Sequence, residues 1–220
     1  EAFLRDLLMP FVTVASLLLI MVTPASAGFS DAFEKYNAKQ YADALAVVEP
    51  DANRGNPAAQ WLLATMYLLG KGLDADPVVA RGWFEKSASS NYPPSQAVLG
   101  RMYEEGIGGE QDPSEANILY RLSAEQGYAD AAYLLGRQFY YGRGTAKNGP
   151  AALKWLTIAA DEDNTDAQYL GAKILLTNEI VTANPELAEK WLMTAADRGH
   201  TQAQLLLGST MLTALAGTYD

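Results

Sequence analysis

The stretch that decides the fold is residues 96–108, QAVLGRMYEEGIG, because its key positions return every 36 residues along the chain. Six positions recur together, with the same spacings in each copy. One is a tyrosine or phenylalanine, two are glycines, and three are small or large apolar residues. The columns are Tyr67, Tyr103 and Phe139; Gly70, Gly106 and Gly142; Gly72, Gly108 and Gly144; Ala80, Ala116, Ala152 and Ala188; Trp83, Leu119, Trp155 and Trp191; and Ala88, Ala124, Ala160 and Ala196. Self-similarity at one fixed period is typical of repeat architectures.

Each copy predicts two α-helices. The first carries apolar residues at helical spacing and ends at the Gly-x-Gly turn, where left-handed backbone favours glycine. The second begins near a proline that follows Asp or Asn, the pattern of an N-cap before the first helical residue. These sites are Asp76-Pro77, Asp112-Pro113, Asn184-Pro185 and, in the third copy, Gly149-Pro150. The sequence therefore predicts an all-α fold of helical repeats.

The period divides the chain into segments. We expect a degenerate leading helical unit at residues 28–56, repeats at 57–92, 93–128, 129–164 and 165–200, and a terminal half-repeat at 201–220. The fourth repeat is expected to have an irregular loop, with one residue missing before Gly171, one added before Trp191, and Thr177-Asn178-Glu179 in place of the Gly-x-Gly turn. Since the apolar helix at 201–216 lacks a polar outer face, we expect further repeats after it or a partner docked on it.

These motifs resemble the Sel-one-like repeat family, relatives of the tetratricopeptide repeat. The family pattern, A-x-x-x-L-G-x-x-Y-x-x-G-x-G followed by A-x-x-W-x-x-x-A-A-x-x-G, matches Gln96–Gly108 in the second copy and Ala152–Ala160 in the third. The resemblance covers about residues 28–216. It implies an α-solenoid of antiparallel helix pairs forming a right-handed superhelix, with the first helices lining a concave face that binds proteins or peptides.

Residues 1–27 have the features of a signal peptide. An uncharged apolar run at 11–22 is followed by Thr23-Pro24 and by Ala25-Ser26-Ala27, so cleavage is expected after Ala27. A membrane helix needs about 20 apolar residues, and this run is shorter. The chain begins with Glu1, so its natural start is expected upstream or at Met9. We therefore expect export, with no stable membrane span after cleavage, and the family resemblance implies that the destination is a bacterial periplasm, or else secretion.

Composition removes several classes of function. Of the 220 residues, 26 are acidic and 16 basic, and the resulting net charge of −10 argues against nucleic-acid binding. There is no cysteine and one histidine, His200, so disulfides, thiolate metal sites and paired imidazole ligands are excluded. No cofactor or metal is expected. Relatives linked to β-lactam binding or hydrolysis depend on cysteine pairs, so that activity does not carry over.

Four local motifs are better explained by structure than by chemistry. His200 occupies a turn position and has no nucleophile motif beside it. The acidic run 161–166 has Asp166 where a calcium loop needs glycine, and the glycines of 142–149 belong to the repeat columns rather than to a phosphate loop. The tryptophan column is expected in the core rather than on a sugar-binding platform.

The predicted binding surface lies on the first helices, at positions three or four residues apart that share one helix face. We expect it to bind a protein or peptide partner, and the alternative is that several of these residues pack between repeats. The candidates are Leu62, Leu69, Val98, Arg101, Glu105, Leu134, Arg137 and Tyr141.

Two other functions remain open at this point. A cell-envelope hydrolase would need an acid pair, such as Glu104 with Glu105 or Asp161 with Asp163. A module that binds glycan or peptidoglycan fragments would use exposed aromatic residues such as Tyr140 and Tyr141. The prediction from the sequence is a non-catalytic scaffold.

Overall fold

The structure is a computed structural model that describes residues 27–177 and 184–216. Apart from Ala27, the predicted signal peptide lies outside the described residues, and so do residues 178 and 179 of the turn predicted to be irregular. Within the described ranges, all regular secondary structure is helical. The helices are α1 Ala27–Asn37, α2 Tyr41–Asn53, α3 Pro57–Leu69, α4 Pro77–Ser89, α5 Pro93–Glu105, α6 Pro113–Glu125, α7 Ala129–Tyr141, α8 Gly149–Asp161, α9 Thr165–Thr177, α10 Pro185–Asp197 and α11 Thr201–Ala216.

The second helices α4, α6, α8 and α10 begin at side-chain caps. Asp76 and Asp112 each accept hydrogen bonds from two backbone amides in the first turn of α4 and α6, and Asn184 accepts one in α10. In the third copy the cap is Asn148, one residue before Gly149, and its side chain accepts from the amide of Ala151. Each cap satisfies donors that a helix start otherwise leaves unpaired.

Both kinds of helix end on residues with positive φ. The first helices α3, α5 and α7 end at Gly70, Gly106 and Gly142, with φ of 63°, 70° and 73°. After each second helix the chain turns at a left-handed residue, and these residues recur every 36 positions. They are Gly55, Asn91, Gly127, Asp163 and Gly199. Glycine, asparagine and aspartate tolerate this conformation best, so the turn column is set by backbone geometry.

Contacts divide the chain into two compact units, residues 1–128 and 129–220. In unit 1 each first helix packs against the second helix that follows it. The pairs are antiparallel, because the hydroxyl of Ser123 near the end of α6 donates to the carbonyl of Pro93 at the start of α5, 2.8 Å away. The ring of Tyr120 on α6 fills the space left by Gly100 on α5. A fully buried side chain of this size contributes about 2 kcal/mol.

The second glycine of the Gly-x-Gly turn serves a close contact in unit 1. A Cβ at Gly72 would lie 2.8 Å from the carbonyl oxygen of Tyr41, and a Cβ at Gly108 would overlap the carbonyl oxygen of Pro77. Tyr41 and Pro77 are the first residues of the preceding second helices α2 and α4. The loop of one repeat therefore lies directly on the helix start of the previous repeat, and only glycine fits there.

Unit 2 is built in the same way from α7 to α11. Gly136 on α7 receives the side chain of Leu156 on α8, and Gly171 on α9 receives the ring of Trp191 on α10. Trp191 is a core residue, with 5% of its surface exposed. By contrast Trp83 in unit 1 and Trp155 in unit 2 are half-buried. The prediction that the tryptophan column is core is therefore confirmed for Trp191 only.

The fourth repeat differs from the expected irregular register. Helices α9 and α10 begin 36 residues after α7 and α8 and have the same length, so no residue is missing or added before Gly171 or Trp191. Ala172, not Gly171, occupies the place equivalent to Gly136. The glycine has moved one residue along α9, and the side chain that fills its space comes from Trp191 rather than from Leu192. The glycine and the residue that fills its space are thus both one place earlier than in the third repeat, so the contact is kept while the helices keep the same bounds.

A glutamine near the start of the first helices links successive repeats inside each unit. In unit 1 the side-chain amide of Gln60 donates to the carbonyl of Ala52, 3.2 Å away. In unit 2 Gln168 donates to the carbonyl of Ala160 in the same way, and the equivalent bond from Gln204 to Ala196 measures 3.0 Å. Since the accepting alanine is in the last turn of the preceding second helix, each bond also satisfies a terminal carbonyl.

Candidate functional site

The first helices share a common frame in which Pro57, Pro93, Ala129 and Thr165 are position 1. Positions 2, 5 and 9 are three or four residues apart, so they lie along one face of a helix. In unit 2 this face carries chemistry that repeats from α7 to α9: an aspartate at position 2, a tyrosine at position 5 and a cation at position 9. The residues are Asp130 and Asp166, Tyr133 and Tyr169, and Arg137 and Lys173.

Three of the predicted binding residues are core residues. Leu62 and Val98 are fully buried in unit 1, and Leu134 is 4% exposed in unit 2. Side chains this deeply buried cannot contact a partner, so the interpretation that such residues pack between helices applies to these three. The spacing showed that these residues share one face of a helix. It did not show which residues of that face are covered by the second helices.

The other five predicted residues reach the surface to different extents. In unit 1, Leu69 and Arg101 are half-buried and Glu105 is exposed. In unit 2, Arg137 is half-buried and Tyr141 is 48% exposed. The predicted surface is thus represented in both units by accessible side chains.

Lys173 is absent from the residues predicted from the sequence because one residue was expected to be missing before Gly171, which would place Ala172 at position 9 of α9. With the helix register intact, position 9 is Lys173, which is half-buried, whereas Ala172 is fully buried. The signal was available in the sequence, since Arg101, Arg137 and Lys173 are spaced by 36 residues. The aspartate and tyrosine rows at positions 2 and 5 have the same spacing and were also missed.

The aspartates of unit 2 accept hydrogen bonds from the residue that caps the next first helix. The amide of Asn164 donates to Asp130 at 3.0 Å while its Oδ1 accepts from the backbone amide of Ala167 in α9. The pKa of Asp130 is raised to about 6, chiefly because the carboxyl is buried; the hydrogen bond from Asn164 opposes this shift, and the nearby charge of Asp166 adds to it. Asp130 is therefore a carboxylate held where its charged form is disfavoured.

His200 repeats this arrangement one helix later. Its Nδ1 accepts from the backbone amide of Ala203 at 3.0 Å, and its Nε2 lies 3.1 Å from Oδ1 of Asp166. Because a backbone amide can only donate, Nδ1 carries no proton, and Nε2–H is the donor to Asp166. The imidazole also stacks on the ring of Tyr169, with centroids 5.1 Å apart. His200 is thus a helix cap, which is a more specific role than the turn residue that the sequence predicted.

The tyrosine and cation rows contact each other within unit 2. Arg137 forms a side-chain hydrogen bond with the hydroxyl of Tyr133. Burial raises the pKa of Tyr133, as does the charge of Asp166 on the neighbouring helix, and Arg137 opposes both effects. The influence of Asp166 on Tyr133 places the two first helices side by side at this face. The guanidinium of Arg143 lies 5.6 Å from the ring of Tyr141, which in turn meets Tyr140 edge-on.

Unit 1 does not carry these rows. Position 2 is Ala58 or Pro94, position 5 is Trp61 or Ala97, and position 9 is Thr65 or Arg101. Apart from Arg101, all of these residues are buried. The first-helix face of unit 1 is therefore mostly buried, and the rows of aspartate, tyrosine and cation belong to unit 2.

The residues considered for acid catalysis are separated by their surroundings. Glu104 is buried and its Oε2 accepts from the hydroxyl of Tyr120 at 2.7 Å, while the adjacent Glu105 is exposed. Asp161 and Asp163 are both exposed, and Asp163 pairs with Arg198 at 2.7 Å. Within residues 27–177 and 184–216, no group of three His, Asp or Glu side chains could hold a metal ion.

Comparison with known proteins defines the class. The sequence model of the Sel1 repeat family matches four consecutive segments, residues 57–92, 93–128, 129–164 and 165–200. A crystal structure of a Sel1 repeat protein from Oxalobacter formigenes is similar over 86% of this chain and 76% of its own, with 31% sequence identity and a TM-score of 0.80. The chain is an α-solenoid of helix pairs, and it belongs to the Sel1 repeat family.

Two further structures share the fold. A protective antigen of uropathogenic Escherichia coli, described as displaying an SLR fold, is 26% identical with a TM-score of 0.72 over 76% of this chain, which spans 36% of that protein. An immunity protein from Pseudomonas aeruginosa is 18% identical with a TM-score of 0.54 over 82% of this chain and 70% of its own, which shows a common fold alone. No curated protein sequence matches the chain. Among the described helices, none is long and apolar enough to cross a bilayer.

Proposed function

We propose that this protein is an exported, periplasmic, non-catalytic scaffold that binds protein or peptide partners through the accessible face of its first helices. The observation that carries the proposal is the run of four Sel1 repeats, because such repeats supply an extended surface. The first helices display Arg101 within unit 1, and Arg137, Tyr141 and Lys173 within unit 2, residue types that are enriched at protein interfaces or complementary to charged partners.

The arrangement of the acidic residues supports a non-catalytic role. Hydrolysis of a glycosidic bond uses two carboxyl groups held within reach of one substrate. Glu104 faces the core and Tyr120 while Glu105 faces solvent, and Asp163 is engaged by Arg198. Neither of the two acid pairs considered from the sequence is therefore arranged as a catalytic pair of carboxylates.

Export is proposed from the sequence of residues 11–27, where an apolar run precedes a small-residue cleavage pattern. Mass spectrometry of the protein produced in its native host tests this step. A mature N-terminus at Gly28 is expected, and Ala27→Leu should block cleavage. Recovery of the full chain from the cytoplasmic fraction would contradict export without affecting the scaffold proposal.

Site-specific photo-crosslinking tests the binding surface. A photoreactive amino acid is placed at Tyr141 on a first helix or at Met193 on a second helix, two residues of unit 2 that are each 48% exposed. The proposal predicts that the Tyr141 probe captures defined protein partners that the Met193 probe does not. Equal capture at both positions, or none at Tyr141, would show that the first-helix face does not bind proteins.

A further inference from the structure

Helix α11 is exposed at positions that are buried in the preceding first helix. Positions 4, 8 and 11 are buried in α9, whereas the same positions of α11 are exposed. The residues are Gln168, Ala172 and Leu175 in α9, and Gln204, Gly208 and Met211 in α11. Leu205 and Leu212 lie on the same side of α11, because they are three and four residues from Gly208. We call Leu205, Gly208, Met211 and Leu212 the α11 stripe.

The α11 stripe is strongly apolar. Leu205 is 70% exposed, Leu212 is 69% exposed and Met211 is 51% exposed. Among the described residues, Leu205 and Leu212 are the most exposed of the large apolar side chains. Burial of apolar surface is favourable by about 25 cal/mol per Å², and a contiguous exposed apolar patch marks an interaction surface. The stripe therefore gains free energy when another surface covers it.

Gly208, in the middle of the α11 stripe, has the position of two glycines that receive large side chains. At position 8 of α5 and α7, Gly100 receives the ring of Tyr120 and Gly136 receives the side chain of Leu156. At Gly208, no atom in the described part of the chain apart from α11 itself lies within 4 Å of an added Cβ. This position is thus open in the described structure of α11, so a helix from another molecule can approach the backbone closely there.

The α11 stripe also lies on an uncharged helix. Thr201–Ala216 contains no acidic or basic residue, although the chain carries 26 acidic and 16 basic residues. A charged partner would find no opposite charge on this helix, and its own charges would lose water on docking. Two copies of α11, by contrast, meet without opposing like charges. The absence of charge therefore favours a neutral apolar occupant, and α11 itself meets this requirement.

We propose that α11 of one molecule packs antiparallel on α11 of a second molecule, with the twofold axis passing beside Gly208. Gly208 is the eighth residue of a 16-residue helix, so this axis pairs nearly the full length of the two helices. Leu205 lies three residues before Gly208, and Met211 lies three residues after it. Antiparallel packing therefore places Leu205 of each copy beside Met211 of the other, next to the open space at Gly208. This dimer goes beyond the proposed scaffold function and does not depend on it.

The dimer is expected to be weak and to become tighter as salt is raised. One helix from each copy makes a small interface, and small interfaces are typical of weak, transient complexes. Each copy carries a net charge of −10, so two copies repel each other at long range. Salt screens this repulsion and leaves the apolar contact intact, so raising it from about 0.05 M to about 0.5 M should strengthen the dimer about threefold. A contact held by opposite charges would weaken instead.

Sedimentation equilibrium of the protein purified from its native host tests for the dimer. The unaltered protein is expected to be dimeric at about 1 mM and monomeric at about 1 µM. Leu212→Glu places a charge in the apolar contact and should weaken the dimer at least about tenfold. The control is Val78→Glu, which adds the same charge in unit 1 at a residue of matched exposure, 67%. This control should dimerise as the unaltered protein does, and circular dichroism melting checks that both variants are folded.

Disulfide crosslinking tests the register of the two helices, since the chain contains no cysteine of its own. Leu205→Cys and Met211→Cys are purified separately and then mixed under mild oxidation with oxidised glutathione. The mixture is expected to give a disulfide-linked dimer. Either variant alone should give at least about fivefold less, because its two thiols lie about 9 Å apart along the helix axis. The control is Leu205→Cys mixed with Met193→Cys, whose second thiol is at a residue of α10 that is 48% exposed.

Several outcomes would overturn the inference. Monomeric protein at about 1 mM, or a dimer that Leu212→Glu leaves unchanged, would show that α11 does not join two copies. Equal crosslinking of Leu205→Cys with Met211→Cys and with Met193→Cys would show random collision rather than a defined contact. Efficient crosslinking of either α11 variant alone would reject the antiparallel register. A monomer whose Tyr141 probe still captures partners would leave the scaffold function standing and reject only the dimer.

Discussion

The two units of this protein use the same helix pair but hold the starts of their first helices differently. In unit 1, the hydroxyls of Ser87 and Ser123 donate to the carbonyls of Pro57 and Pro93, and all of these groups are neutral. In unit 2 the equivalent serine positions are Ala159 and Ala195. There, Asn164 and His200 donate instead to carboxylates on the preceding first helix.

This difference shows that the same repeat can either bury the face of its first helix or leave that face accessible to a partner. Unit 1 anchors each first helix to its own second helix, and its face at positions 2, 5 and 9 is largely buried. Unit 2 anchors successive first helices to each other through residues that lie on the accessible face. The charged groups that hold unit 2 together therefore border the surface proposed to bind a partner.

The largest effect should come from the close-packed turn of unit 1. Gly108→Ala places a Cβ against the carbonyl oxygen of Pro77 and keeps a positive φ of 70°. A backbone atom cannot move aside easily, so we expect a loss of about 3 kcal/mol, or a melting temperature lower by about 6–12 °C. The control is Gly127→Ala, with φ of 86° and open space around the added atom, and about 1 kcal/mol is expected. Equal losses would show that the contact has no cost beyond the backbone conformation.

A buried amide distinguishes the cores of the two units. Gln138 in unit 2 is fully buried, and its side-chain atoms have no hydrogen-bond partner among the residues that the structure describes, whereas the equivalent residue of unit 1 is Met102. Gln138→Met removes an unsatisfied polar group and should stabilise the protein by about 2 kcal/mol.

The reciprocal variant Met102→Gln should destabilise unit 1 by a similar amount. Calorimetric melting of both variants checks the pair of expectations. A fall in melting temperature for Gln138→Met would mean that the amide is satisfied in solution by a group such as a bound water.

The carboxylate of Asp130 should make the stability of unit 2 depend on pH. Its pKa is raised from its ordinary 3.8 to about 6, so the folded state binds the proton more tightly than the unfolded state. The resulting stabilisation is complete below about pH 4 and is lost as the pH rises through about 6.

Asp130→Asn removes this titration while keeping an oxygen that can accept from Asn164. We expect the variant to exceed the unaltered protein in stability by about 1–2 kcal/mol at about pH 7.5, and the gap to close near pH 4. Urea unfolding at the two pH values measures it. A gap independent of pH would show that the carboxyl does not titrate in this range.

The smallest effect should come from removing the neutral hydrogen bond between a serine hydroxyl and a backbone carbonyl in unit 1. Ser123→Ala installs the residue that unit 2 uses at the same place and removes the bond to the carbonyl of Pro93. We expect a loss of about 1 kcal/mol that is the same at both pH values. A pH-dependent loss would contradict the distinction between the neutral hydrogen bonds of unit 1 and the hydrogen bonds to carboxylates in unit 2.

Much of the fold could be predicted from the sequence because its strongest constraints recur at 36 residues. The capping residues Asp76 and Asp112 and the glycines at Gly70 and Gly106 act through local backbone geometry, which the residue type reveals directly. The register of the fourth repeat could not be predicted in this way. Gly171 lies one place before the equivalent of Gly136, and only the three-dimensional contact shows that Trp191, rather than Leu192 at the place equivalent to Leu156, fills the space beside it.

The site was harder to predict because the spacing of residues along a helix does not show which of them are buried. Leu62 is at position 6 of α3 and Arg101 is at position 9 of α5, only three places apart in the common frame. Leu62 is nevertheless fully buried, and Arg101 is half-buried. What covers a residue depends on helices distant in sequence. Lys173 was missed for a different reason, since a wrongly assumed gap assigned its place to Ala172.

Three glycines inside first helices receive a large side chain, and each lies in the same 36-residue segment as the residue that fills its space. Gly100 and Tyr120 fall within 93–128, Gly136 and Leu156 within 129–164, and Gly171 and Trp191 within 165–200. A gene segment duplicated or deleted at these boundaries therefore carries both halves of the contact with it. Each repeat could change its glycine position or its side-chain size independently of the others, as the fourth repeat did, and repeat number could vary during evolution without a matching change elsewhere.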